Sequence, residues 1–195
     1  MNGSPTSPPG PPAGGEPSWV GEVIRFWFEE MTEDQWFTKD AAVDSQIRER
    51  FLQLHETIVA EDGRGVEAPR PLLATVIVLD QFSRNLFRDD ARAFCADPIA
   101  RRLSRMAIER RFDVAMQRPE RYFLYLPFEH SEDQEDQALA LDLIDKLGER
   151  TWTRFAMAHK ATIDRFGRFP YRNAALHRPS TADEVAYLNE PTRLL

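Results

Sequence analysis

The chain has one cysteine, Cys95, among 195 residues, so no disulfide can form within it. A lone cysteine is typical of proteins from reducing compartments. The longest apolar run, from Leu72 to Leu79 with Thr75 inside it, is far shorter than the roughly 20 residues of a membrane-spanning helix. The first 17 residues have neither the basic nor the apolar segment of a secretory signal. We therefore expect a cytoplasmic protein that does not enter a membrane.

Common catalytic and cofactor-binding motifs are also missing. The sequence has no G-x-S-x-G, no phosphate-binding glycine loop and no dinucleotide-binding glycine pattern. Its four histidines form no H-x-x-x-H or H-E-x-x-H pair that would hold a metal on one helix face. Cys95 has no base close to it in sequence, so we interpret it as a small hydrophobic residue. These absences predict no metal and no cofactor.

Charge is unevenly distributed along a chain of net charge −7. From Glu129 to Glu149, eight acidic residues accompany one base, and from Arg150 to Arg178, seven bases accompany one acid. Two interpretations stay open, namely neighbouring helices with complementary faces or an anion-binding surface on the basic block. The negative total argues against a nucleic-acid partner.

Helix signals dominate after a distinctive beginning. Residues 1–17 contain six prolines and four glycines and almost no hydrophobic side chain, which predicts a disordered tail. Residues 18–195 are expected to form a single all-α domain of about eight helices in antiparallel hairpins. The β-branched residues Thr75 to Val78 leave a buried strand open, although the apolar pattern continues past them.

The predicted helices share hydrophobic spacing and recognisable boundary residues. The first helix begins at Ser18 and the second near Trp36. The others span 41–61, Pro71 to Phe87, Asp97 to Phe112, Pro119 to Pro127, Ser131 to Gly148 and Arg150 to Phe166, and the last follows Thr181. Asp97 is expected to be an N-cap. Ser131 with Gln134 and Thr181 with Glu184 are expected to form capping boxes.

Four polar side chains follow directly on the apolar run: Asp80, Gln81, Arg84 and Asn85. Asp80 and Arg84 are four residues apart, as are Gln81 and Asn85, so each pair shares a strip of helix surface. Buried polar groups must be paired, because leaving them unpaired is costly. The cluster is either an internal network that fixes helix packing or one wall of a ligand pocket, with Arg84 as the cation for a ligand anion.

Two further clusters lie towards the C-terminus. His130 lies between Glu129 and Glu132, so His130 or Glu129 is a candidate general base, with a cap or interhelical hydrogen bond as the structural alternative. The loop after Gly167 carries three candidate ligand-binding residues: Arg168, Arg172 and Asn173. Arginines held between aromatic rings suit carboxylate or phosphate recognition, but they also suit bonds to backbone carbonyls that tie helices together.

Three motifs resemble a bacterial family of unknown function with a tetratricopeptide-repeat-like all-helical fold. They are D-Q-F-S-R-N at Asp80 to Asn85, Y-L-P-F-E-H-S-E at Tyr125 to Glu132, and R-F-G-R-F-P-Y-R-N at Arg165 to Asn173. The resemblance extends over residues 18 to 190 and implies a superhelical helix array, but no established activity, cofactor or partner. This chain has Ser83 where proline is common and Tyr171 where histidine is common, which argues against Tyr171 in an essential metal or acid–base site.

Two functional hypotheses follow from these residues. The first is a binding module whose arginine-, asparagine- and aspartate-lined pocket takes an anionic peptide or small molecule. The alternative is a hydrolase or transferase that uses His130 or Glu129 as general base. A catalytic His130 should line a cleft and be oriented by a carboxylate, whereas a structural one should donate to backbone. We also expect the three polar clusters to converge, because each would satisfy the others.

Overall fold

The computed structural model of the protein describes residues 15–190, and this range contains helices and no strand. The all-α prediction is confirmed for these residues, none of whose helices is long and apolar enough to cross a membrane. Residues 1–14 of the predicted tail lie outside the described range, and Glu16, near its end, forms an ion pair with Arg70. The superhelical repeat arrangement stays a prediction.

The α-helices are numbered α1 to α11 in chain order, and π and 3-10 segments join several of them. The first half contains α1 Ser18–Arg25, a π segment Phe26–Glu30, α2 Glu33–Phe37, α3 Ala41–Ala60, α4 Pro69–Ile77, a π segment Val78–Phe82, α5 Ser83–Leu86 and α6 Arg92–Cys95. The second half contains α7 Asp97–Glu109, a 3-10 turn Phe112–Ala115, α8 Arg118–Glu129, α9 Gln134–Asp145, α10 Arg150–Phe166, a 3-10 turn Pro170–Arg172 and α11 Ala182–Leu188.

Helix α4 lies in the middle of the core. Its side chains from Leu72 to Ile77 are all buried, and α1, α7 and α8 pack around it. A helix that is apolar on every side has to be buried in this way. The adjoining ring of Phe82 lies 4.9 Å from that of Phe51 and 5.6 Å from that of Trp27. The apolar run is therefore a core helix, and the strand alternative is wrong.

Helix α8 continues through Pro127 to Glu129, so the prediction that the proline ends this helix is wrong. A proline inside a helix removes one backbone hydrogen bond. Leu126 and Phe128 on either side of it are buried, and the apolar area that they bury offsets that loss. The consequence for function is that α8 reaches far enough to present Glu129 and His130 to the polar cluster.

Three other helix boundaries differ from those expected. Helix α4 begins at Pro69 rather than Pro71. Helix α7 ends before Phe112, because Arg111 adopts a left-handed backbone with φ of 58°. Asp133, rather than Ser131, caps α9, because its carboxylate accepts hydrogen bonds from the backbone N–H groups of Glu135 and Asp136. The expected capping box of Thr181 is present at the start of α11.

Replacing Phe123 with alanine should lower the free energy of unfolding by about 3–5 kcal/mol, because it opens a cavity in the core. Phe123 is 1 % exposed, and its ring packs edge-on against Trp27 at 5.3 Å and Trp36 at 5.0 Å. Urea denaturation measures the loss. Val114, which is 62 % exposed, offers the matched control, and its change to alanine should stay within about 0.5 kcal/mol. Equal effects of the two changes would contradict the assigned core.

Candidate functional site

A buried carboxylate, that of Asp80, is the centre of the polar site. Asp80 lies in the π segment Val78–Phe82, and its side chain is 1 % exposed. His130 Nδ1 lies 2.9 Å from Oδ1, Gln81 Nε2 donates to Oδ2 at 2.5 Å, and Arg84 Nη1 lies 3.2 Å from Oδ1. Burial by itself raises the pKa of a carboxyl, but the Arg84 charge and the bonds from His130 and Gln81 hold the pKa of Asp80 below its ordinary value. Asp80 is therefore an ionised acceptor.

His130 follows the C-terminus of α8 and has a defined tautomer. Burial lowers the pKa of its imidazole more than the Asp80 charge raises it, which favours the neutral ring. Because the ionised Asp80 carboxylate can only accept a hydrogen bond, Nδ1 of His130 carries the proton. Nε2 of the neutral ring is then an unprotonated acceptor, and it has no partner among residues 15–190.

A second histidine, His159 of α10, is held in the same manner. Its Nδ1 lies 2.9 Å from Glu129 Oε1 and 3.0 Å from the carbonyl oxygen of Phe155. A carbonyl only accepts, so Nδ1 of His159 also carries a proton. The rings of His159 and His130 have centroids 5.9 Å apart. Glu129 is 1 % exposed, and its Oε2 has no hydrogen-bond partner within the described part of the chain.

Asp97 connects the site to the C-terminal turn. Arg84 donates to both of its carboxylate oxygens, at 3.0 and 3.1 Å, and Arg172 Nη1 lies 3.4 Å from Oδ2. Arg172 also donates to the His130 carbonyl at 2.8 Å, and its guanidinium lies 4.6 Å from the ring of Phe169. The expectation that Asp97 caps α7 is wrong. Ala96 occupies the cap position, and the Asp97 carboxylate binds arginines instead.

Two adjoining clefts open at this site, with volumes of about 330 and 260 Å³. The larger has an apolar wall formed by Trp36, Phe37, Tyr122, Leu126 and Phe155. Its polar wall includes Gln81, Arg84, Asn85, Arg88, Glu129, His130 and His159. Clefts of this size and mixed character are typical of sites for small molecules rather than proteins.

The structure brings together most of the predicted site residues. Gln81, Arg84, His130 and Arg172 surround Asp80 and Asp97. Glu129 contacts His159, whose ring lies next to that of His130. Asn85 also lines the larger cleft, although its side-chain amide donates to Asp44 at 2.8 Å rather than to Gln81.

The C-terminal loop reaches the site through Arg172, whereas the side chains of Arg168 and Asn173 bind elsewhere. Arg168 donates to the buried Glu184 at 2.6 Å, and this bond lowers the pKa of Glu184 to about 2. Asn173 is also buried, and it donates to Ser180 at 3.1 Å. Both side chains connect the turn after α10 to the segment at the start of α11.

Several residues of the clefts escaped the sequence interpretation, among them Lys39, Arg88, Tyr122 and His159. Lys39 lines both clefts and has no ion-pair partner within residues 15–190. Burial raises the pKa of Tyr122, and the nearby charges of Glu129 and Asp80 add to that effect. His159 alone carried a usable signal, since it shares the buried face of α10 with Trp152, Ala156 and Ile163.

The described residues contain no group of three or more His, Cys, Asp and Glu side chains that could hold a metal ion. Cys95 is exposed, so its interpretation as a small hydrophobic residue is wrong as far as burial is concerned. It lies on the short helix α6, where its thiol donates to the carbonyl of Ala91 at 3.3 Å. The chemistry that the cleft offers is that of two oriented imidazoles with a lysine beside them.

Fold and site together define an all-helical protein with two carboxylate-held histidines in one cleft. A family model described as a bacterial protein of unknown function (DUF924) matches residues 23–192, and the chain belongs to this family. The structure of a protein of unknown function from Agrobacterium tumefaciens is similar to this chain, with 38 % identity and a TM-score of 0.83. The match covers 88 % of this chain and 97 % of that chain. No curated protein matches.

Replacing Asp80 with asparagine should lower the free energy of unfolding at neutral pH by about 3–5 kcal/mol, because Arg84 loses a buried partner. The pKa of Asp80 is lower in the folded chain than in the unfolded one, so its ionisation stabilises the fold above the unfolded pKa of about 4. This contribution is lost as the pH falls towards the folded pKa. The difference between the two proteins should therefore narrow below about pH 4.

Urea denaturation at several pH values measures this difference. Asp142→Asn is the matched control, because that side chain is 57 % exposed, and it should cost less than about 1 kcal/mol. A difference between wild type and Asp80→Asn that stays constant across the acidic range would contradict the lowered pKa of Asp80.

Replacing Arg172 with lysine should lower the free energy of unfolding by about 1–3 kcal/mol without any added anion, since an ammonium cannot serve both the His130 carbonyl and Asp97. Thermal melts with and without phosphate measure the effect. Arg110→Lys, at an exposed position, should leave the melting temperature unchanged. Undiminished stability of Arg172→Lys, together with loss of a phosphate-induced rise, would instead support anion binding by Arg172.

Proposed function

We propose that the larger cleft is a catalytic site in which His130 is the general base of a hydrolytic or group-transfer reaction. The observation that carries this proposal is the position of His130, whose Nδ1 is held 2.9 Å from Asp80 while its ring lines the cleft. A purely structural histidine would instead donate to backbone. Nε2 takes the proton from a water or hydroxyl nucleophile, and the Asp80 carboxylate stabilises the imidazolium that forms.

His130 is a better candidate for the base than Glu129. The Glu129 carboxylate is 1 % exposed and contacts His159 through Oε1 at 2.9 Å, so it orients an imidazole rather than reaching a substrate. His159 then supplies the cleft with a second imidazole for proton transfer. The buried Tyr122 hydroxyl, whose pKa is raised, stays protonated and can donate a hydrogen bond to a developing negative charge.

A binding function without chemistry is the second candidate, and Lys39 is the observation that favours it. Lys39 lines both clefts as a cation without a partner in the described range. The arginines support this candidate less, because Arg84 is bound to Asp80 and Asp97 and Arg172 to Asp97 and a carbonyl. Both candidate functions concern a small molecule, because a cleft of about 330 Å³ cannot hold most of a peptide.

The assay uses three substrates: p-nitrophenyl acetate, p-nitrophenyl phosphate and bis-p-nitrophenyl phosphate. For whichever of them the wild type hydrolyses, His130→Gln should reduce kcat/KM by a factor of about 10²–10⁴. For the wild type, the rate should fall as the pH drops through a midpoint below about 6.5, because only the neutral imidazole accepts a proton and burial lowers its pKa. Release of p-nitrophenol measures both effects.

His177→Asn is the control, since His177 is exposed and lies outside both clefts. It should keep the full rate. A wild-type rate that survives in His130→Gln would refute the general-base role. Saturable binding of the same probes without any turnover would favour the binding function.

A further inference from the structure

The two clefts meet at a shared set of polar side chains. Four residues line both of them: Lys39, Arg84, Arg88 and His130. The clefts are therefore two sides of one site, and these four residues form its waist. His130, the residue proposed to act on the substrate, lies at this waist, so a ligand at its Nε2 has space on either side.

Each side of the waist has an aromatic wall. In the larger cleft the ring of Phe37, which is 48 % exposed, lies nearly parallel to that of Phe155, with centroids 6.2 Å apart. In the smaller cleft Tyr171, which is 37 % exposed, lines the wall together with Phe94. Large apolar side chains exposed at a concave site indicate ligand contact, because such surface gains free energy when it is covered.

One positive charge at the waist is uncompensated. Arg84 is paired with Asp97 at 3.0 Å and Arg88 with Asp44 at 2.7 Å, and neither carboxylate lines a cleft. Lys39 has no such partner in the described chain. Two acids line the clefts, and neither is shared by both: Glu129, which contacts His159, lines the larger cleft, and Asp89 lines the smaller one.

We propose that the ligand is a small organic monoanion that carries an apolar group on each side of its charged centre. The charge binds Lys39 at the waist, one apolar group lies against Phe155, and the other lies against Tyr171. Carboxylates and phosphodiesters share this chemistry. The inference deepens the proposed function and rests on the same cleft being the working site.

Isothermal titration calorimetry with four probes tests the ligand class. Diphenylacetate and diphenyl phosphate are anions with two rings, phenylacetate has one ring, and diphenylmethanol has two rings and no charge. We expect at least one two-ring anion to bind about tenfold more tightly than both phenylacetate and diphenylmethanol. The tighter of the two anions distinguishes a carboxylate from a phosphodiester. Equal affinity for all four probes, or no binding of either two-ring anion, would overturn the proposal.

Three variants locate the contacts. Lys39→Gln should weaken the preferred two-ring anion about tenfold and leave diphenylmethanol unchanged, whereas Lys160→Gln, at a lysine paired with Asp164, should change neither. Tyr171→Ala should weaken the two-ring anion to the level of phenylacetate and leave phenylacetate itself unchanged. Unaltered binding by Lys39→Gln or by Tyr171→Ala would overturn the assignment.

Binding of these probes and turnover of the p-nitrophenyl esters together separate this inference from the general-base role. The two-ring anion is titrated into the wild type, and the rate of p-nitrophenol release is compared between the wild type and His130→Gln. Tight binding of that anion together with an undiminished rate in His130→Gln would refute catalysis by His130 and leave the ligand class standing. Loss of rate in His130→Gln without preference for two-ring anions would refute the ligand class and leave the base standing.

Discussion

The buried charge of Asp80 is the constraint on which the arrangement of the site depends. A carboxylate with no access to water needs donors around it, and it receives them from its own π segment, from α5 and from the end of α8. Arg84 then contacts Asp97 of α7, and Asp97 contacts Arg172 in the C-terminal turn. A buried ion pair contributes little net stability, but removing one of its partners is costly, because the other charge stays buried and unpaired. This network therefore specifies how the helices pack against one another.

The irregular backbone around Asp80 is satisfied by side chains. Ser83 donates to the Leu79 carbonyl at 2.6 Å, and Arg84 donates to the Asp80 carbonyl at 2.5 Å. Since Ser83 gives its proton to Leu79, it accepts from His55 Nε2 at 2.7 Å. A proline at this position would make neither bond, because it has no hydroxyl. In this chain Ser83 therefore couples the π segment to α3.

The cleft combines neutralised arginines with groups that are free to act. The carboxylates of Asp80, Asp97 and Glu129 bind arginines and imidazoles, and they fix the charge, tautomer and orientation of these groups. Two groups of residues that line the cleft have no partner in the described chain, namely the unprotonated Nε2 of His130 and the ammonium of Lys39.

Local sequence patterns determined the all-α class, most helix boundaries and the pairing of Asp80 with Arg84, because these depend on residues within a turn or two of each other. The D-Q-F-S-R-N and F-E-H-S-E motifs also indicated side chains that line the larger cleft, namely Gln81, Arg84, Asn85, Glu129 and His130. Tertiary structure alone decided that Asp97 binds arginines rather than caps α7, that Arg168 turns to Glu184, and that His159 meets Glu129. Each of these contacts joins residues from different parts of the chain. The packing of the helices therefore determines which carboxylate lies within reach of which cation or imidazole.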